Sequence, residues 1–158
     1  MGKLITLLAV LGIGYGVYWK MTHKSPAYIA YLQWEDATRR GDCKTLYSLA
    51  EGSAKAWVDN YCTPAGGMSI MGRTVSGRSA ADLVAELNNT PQGAMSTWRH
   101  HMENEDTTAD GTVSMVITAS VAGRGIQAAP PRRHEVLAKE IGGVWKLIEF
   151  KEPELAKP

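Results

Sequence analysis

Residues Met68 to Asn89 read MSIMGRTVSGRSAADLVAELNN. Met68 to Val75 is strand-like, and a tight Gly-rich bend follows. Ser79 then stands three residues before Asp82, a capping-box pattern that starts a helix. Leu83, Val84 and Leu87 form its apolar stripe, and Asn88, Asn89 and Pro91 end it. A short strand, a bend and a capped helix are the pivot about which the rest of the chain arranges itself.

Upstream, helices follow one another. Ser25-Pro26 is a helix start, with Ser as N-cap and Pro at the first helical position. Ala27, Ala30, Tyr31, Trp34 and Ala37 recur at helical spacing on one face, while Gln33, Asp36, Arg39 and Arg40 lie mostly elsewhere. Gly41 closes this helix and Asp42 caps a second, Cys43 to Glu51, which buries Leu46, Leu49 and Ala50. Gly52-Ser53 separates it from a third, Ala54 to Tyr61, stopped by Pro64 and Gly66-Gly67.

Downstream, the pattern changes to strands. Met95 to Thr108 is long and polar, and Asp110-Gly111 is a hairpin signal. Thr112 to Val121 alternates, with Val113, Met115, Ile117, Ala119 and Val121 on one side. His134 to Ile141 and Val144 to Lys151 form a second hairpin about Gly142-Gly143, and a frayed tail is expected from Glu152.

The chain has 158 residues, which suits one domain plus an appendage. Its 17 Lys and Arg nearly balance 16 Asp and Glu, so nothing in the charge favours nucleic acid as a partner. The basic pairs Arg39–Arg40 and Arg132–Arg133 read as solvated surface.

Leu4 to Trp19, LITLLAVLGIGYGVYW, carries no charge. As a helix it spans about 24 Å, slightly less than a hydrocarbon core, and Lys3 and Lys20 can snorkel to make up the difference. Tyr15, Tyr18 and Trp19 would lie at one interface. A cleaved signal peptide is the competing reading, with Ser25 and Ala27 as a small-x-small site. The bulky, charged gap of Trp19, Lys20 and Lys24 favours an uncleaved anchor over residues 1–24. Gly12 and Gly16 would let that helix pack closely on another in lipid.

Cys43 and Cys62 are the two cysteines. Outside the cytoplasm such a pair tends to bond, whereas in the cytosol both would remain thiols. Cys43 opens the second helix and Cys62 follows the third, so helices folded back on each other bring them together. The disulfide reading places the C-terminal domain in the periplasm, with the anchor in the inner membrane.

The element order, together with YLQWEDATRRGD (Tyr31–Asp42), VSGRSAADL (Val75–Leu83) and GGVWKLIEF (Gly142–Phe150), resembles the NTF2-like (SnoaL-like) superfamily. The resemblance covers residues 26 to 151. It implies an α+β cone, in which three N-terminal helices and a further helix pack on a curved antiparallel sheet. The single-span plan is also similar, in architecture only, to inner-membrane assembly subunits of bacterial type IV secretion systems.

The superfamily includes isomerases, dehydratases and hydrolases as well as binding modules, so the fold alone assigns no activity. Tyr31, Trp34, Trp57 and His100 are the candidates to line the cone. His100 and His101 are adjacent on a strand and so point to opposite faces, and at most one enters. His134 is the third histidine candidate for proton transfer, with surface pairing to the adjacent Glu135 as its plainer reading, and Asp36 has the wrong helical phase to join Tyr31 and Trp34. No family catalytic pattern transfers, and there is no metal-ligand spacing, phosphate loop or nucleophile elbow. Neither a cofactor nor a catalytic residue is therefore expected.

Val144, Ile148 and Phe150 alternate with Trp145 and Leu147 on the last strand, which gives both of its faces apolar groups. One face would cover the cone and the other, with Val144, Ile148 and Phe150, would meet a partner. The sequence thus points to a non-enzymatic, membrane-anchored NTF2-like subunit acting through contacts with other membrane-complex subunits or with itself. A small-molecule-binding protein or isomerase-like enzyme using the cone is the alternative.

Overall fold

A computed structural model describes residues 24–64, 68–70, 73–75, 77–90, 97–122 and 131–155. Gly12, Gly16 and the expected anchor before Lys24 lie outside the described residues. No helix among the described residues is long and apolar enough to cross a membrane.

Local chemistry sets the helix ends. Helix α1, Pro26–Arg40, starts where the Ser25 hydroxyl accepts the Tyr28 N–H at 3.1 Å. It stops at Gly41, whose φ of 65° turns its N–H back onto the Ala37 and Thr38 carbonyls. Asp42 then caps α2, Cys43–Leu49, accepting from the Thr45 N–H at 3.1 Å. Helix α2 ends before Glu51 because Ala50 leaves it to bridge Leu147, and the Glu51 N–H donates to the Leu147 carbonyl at 2.8 Å. Helix α3, Gly52–Cys62, begins against the last strand. A Cβ on Gly52 would lie 2.8 Å from the Ile148 carbonyl oxygen, so only glycine permits that approach. A disulfide joins Cys43 to Cys62, with Cα atoms 5.9 Å apart, and ties the start of α2 to the end of α3.

The pivot stretch is more broken than a single strand. Strands β1, Met68–Ile70, and β2, Arg73–Val75, pair antiparallel with each other. Helix α4, Ala80–Asn88, then starts on the full capping box, with the Asp82 carboxylate accepting from the Ser79 N–H at 3.0 Å. A Cβ on Gly41 would lie 2.5 Å from the Ala81 carbonyl oxygen, so α4 rests against the end of α1 through the absence of a side chain.

Strands β3 (Thr97–Thr107), β4 (Val113–Ala122), β5 (Arg132–Ile141) and β6 (Val144–Leu155) form one antiparallel sheet in that order. Its inner face carries Val113, Met115, Ile117 and Ala119 from β4 and His134, Val136 and Ala138 from β5, all buried. Tyr31 and Trp34 of α1, both 0% exposed, pack onto it as their helical phase requires. The chain is thus an α+β fold of four helices and a bulged four-stranded antiparallel sheet among the described residues.

Two expectations about β6 change. Instead of fraying at Glu152, the strand continues to Leu155, with Glu154 opposite Arg133 and Leu155 opposite Arg132. Strict alternation also fails. Ala138 faces Leu147 and Leu137 faces Glu149, so Ile148 is an extra residue in a β-bulge. That insertion reverses the phase beyond it. Phe150 therefore joins Leu147 on the inner face, 5.8 Å from the Trp34 ring, and does not reach the outer one.

Candidate functional site

Where α1 crosses β3 and β5, four polar side chains meet between the helix and the inner face of the sheet. Tyr31 and Glu35 are four residues apart on α1 and so share its inner face. His100 comes from β3 opposite Ala119, and His134 from β5 opposite Ile117. The Glu35 carboxylate lies between the two imidazoles, with Oε2 3.5 Å from His100 Nε2 and Oε1 3.6 Å from His134 Nδ1. The Tyr31 hydroxyl lies 3.1 Å from His134 Nδ1. The side chains of Glu35, His100 and His134 are 9%, 8% and 6% exposed, so the cluster is almost dry.

Burial governs the protonation of Tyr31 and His134. It pushes the Tyr31 hydroxyl far above the ordinary range, and the neighbouring Glu35 charge pushes in the same direction. His134 is held below its ordinary value chiefly by burial, with His100 and Arg132 adding to that and Glu35 opposing it. Tyr61, which donates to the Thr38 carbonyl at 2.7 Å, is raised to about 12 by burial and by Glu35. His100 Nε2 has no hydrogen-bond partner at its 3.5 Å separation from Glu35. An unsatisfied polar atom at that depth is costly unless something else satisfies it.

The cluster borders a cleft of about 360 Å³, lined by Glu35, Thr38, Trp57, Trp98, Arg132, His134 and Phe150. Trp57 and Phe150 meet at 5.4 Å between ring centroids, and Trp98 stacks on His100 at 6.5 Å. Aromatic walls over a polar floor are the usual make-up of a small-molecule site, and this cleft is at the small end of the size range, roughly 300–1,000 Å³. Among the described residues no group of three His, Cys, Asp or Glu side chains is placed to hold a metal ion.

The structure sorts the candidates. Trp57 lines the cleft, whereas Tyr31 and Trp34 are sealed beneath it as core. His100 enters the cone and His101 faces outward, as their adjacency requires. Phe150, expected at an outer interface, is a cleft wall. His134 is a cone residue too, while its neighbour Glu135 points out to Lys151 and Arg133. Glu35 and Arg132 were not anticipated. The spacing Tyr31-x-x-x-Glu35 was the available signal, since it puts a carboxylate in the phase that Asp36 lacks. Asp36 instead pairs with Arg40 at 2.5 Å.

On the outer sheet face, Arg133 lies 3.5 Å from both Glu103 and Glu135, and Glu103 also accepts from the Thr118 hydroxyl. Charged groups occupy that part of the outer face, and half-buried Val116 and Leu137 lie beside them. Exposed apolar groups persist at the β5–β6 turn, where Ile141 and Val144 oppose each other at 38% and 49% exposure.

No family model matches the chain, and no curated protein matches it. A solved structure titled as a five-substitution variant of Rd1NTF2_05, a designed NTF2-like protein, is similar at 17% identity over 73% of this chain and 86% of that one, with a TM-score of 0.41.

Proposed function

We propose that the chain is an NTF2-like domain, tethered outside the cytoplasm by its N-terminal segment, that takes up a small organic molecule in its cone. The observation that carries this is the buried carboxylate–imidazole–phenol cluster at the edge of an aromatic cleft. A domain selected only for packing has little reason to keep a 9%-exposed carboxylate between two histidines. Glu35 and His134 open onto the cleft, where a bound donor or acceptor would reach them. The Cys43–Cys62 bond supports an oxidising compartment, and the uncharged run from Leu4 to Trp19 supports a tether.

Binding without turnover fits the arrangement better than catalysis. The Tyr31 hydroxyl, a candidate proton donor, is engaged with His134 and sealed from the cleft. An NMR titration of the full chain in detergent micelles with water-soluble aromatic fragments tests the reading. Shifts should concentrate at the Trp57 and Trp98 indoles and at residues 34–38 and 132–136. Fragments that leave these signals unmoved, or that move only distant ones, would sink it.

A second reading, an assembly subunit of a membrane complex, draws support from the exposed Ile141–Val144 pair. Replacing both by Ser and purifying from gently solubilised membranes tests it. Loss of a defined set of co-purifying subunits supports that reading, and an unchanged set counts against it.

A further inference from the structure

The doublet Arg132–Arg133 is divided by the pleat. Consecutive side chains of β5 point to opposite faces, so the two guanidiniums meet different surroundings. Arg133 sits outside, 3.5 Å from Glu103 and from Glu135. Arg132 falls in the same inner row as His134, at the cleft, and no carboxylate among the residues whose side chains are described lies within ion-pair distance of it.

We propose that the ligand of this cone is a planar aromatic monocarboxylate, its carboxylate held by Arg132 at the mouth and its ring lying among Trp57, Trp98 and Phe150. This rests on the reading of the cone as a ligand site. A guanidinium fork matches a carboxylate through two parallel N–H donors, and an unpaired one keeps both available. Glu35 fixes the direction of entry. An anion placed deep would face its buried carboxylate, so the charged end stays outside and a neutral end, such as a hydroxyl, reaches Glu35 and His134. One cation at the mouth suits a single negative charge better than a phosphate dianion. A cleft of about 360 Å³ with three aromatic walls suits one or two fused rings.

Calorimetric titration of the full chain in mild detergent, with micelles alone as the blank, separates the possibilities. The probes are 4-hydroxybenzoate and its neutral counterpart 4-hydroxybenzyl alcohol. At low salt the acid should bind about tenfold more tightly, the size expected of one charge-assisted contact. Arg132→Gln should abolish that preference, Arg133→Gln should retain it, and raised ionic strength should erode it in the unaltered protein. Equal binding of the two probes, or a preference that survives Arg132→Gln or high salt, overturns the carboxylate assignment and leaves the cone reading standing. Failure of both probes to bind at up to about 5 mM overturns both, since even modest ligand efficiency gives a molecule of about ten non-hydrogen atoms detectable affinity at that level.

Discussion

Removing the Cys43–Cys62 bond should cost about 3 kcal/mol. The two residues are 19 apart in sequence, so the closed loop is short. The chain-entropy relation then gives roughly 11 cal/mol/K of entropy restored to the unfolded chain, about 3 kcal/mol at 25 °C. The native side changes less. Each cysteine is at a helix end fixed independently, Cys43 by the Asp42 cap and Cys62 at the end of α3, whose start is hydrogen-bonded to β6. In urea, with a slope of roughly 1.5–2 kcal/mol/M, the midpoint of a Cys43→Ser/Cys62→Ser variant should fall by about 1.5–2 M. The slope itself should rise, because an unlinked unfolded chain exposes more surface. Tryptophan fluorescence follows the transition. A midpoint shift below about 0.3 M, or two free thiols titrated in native protein purified without reductant, would refute the loop argument and the compartment inferred from it.

Other perturbations read separate parts of the structure. Gly41→Ala forces a left-handed residue to carry a Cβ 2.5 Å from the Ala81 carbonyl oxygen, so α1 and α4 must part and stability should drop by at least about 2 kcal/mol; thermal unfolding measures it. Trp34→Ala empties a fully buried site between the Trp57 and Phe150 rings and should cost about 3–5 kcal/mol in urea, with a near-native result contradicting the packing. Because the folded-state pKa of His134 is lowered, the unfolded chain binds more protons in the acid range. His134 therefore contributes stability that is present above its ordinary value of 6.5 and lost as pH falls below it. In His134→Gln the pH dependence of stability just below 6.5 should be shallower, and an unchanged slope there would contradict its burial.

Most helix starts and stops were legible because they are decided within four residues, whereas the α2–α3 junction is set by contact with β6. Ser25-Pro26, Gly41-Asp42 and Ser79-x-x-Asp82 use side-chain or backbone chemistry that needs no tertiary partner. The inner face of β4 was legible from alternation alone. The inner face of β6 was not, since a bulge at Ile148 is a property of pairing with β5, and nothing local marks it. The site escaped for a related reason. Glu35 is one residue from Asp36, and only helical phase tells the buried carboxylate from the solvated one. His134 is a candidate whose adjacent Glu135 suggests a surface pair, although the pleat sends the two to opposite faces. Arg132 was grouped with Arg133 as surface charge, and the same alternation separates them.

Direct titration of the His134 ring by ¹⁵N NMR tests the central claim, a dry Glu35–His134–Tyr31 cluster inside the cone. The ring should remain neutral as pH falls through 6.5 and take up its proton only at more acid pH, with the Nδ1 signal altered in Tyr31→Phe. A His134 that titrates at or above 6.5, with signals indifferent to Tyr31→Phe, would mean that the imidazole stands in water and that the cone holds no such cluster.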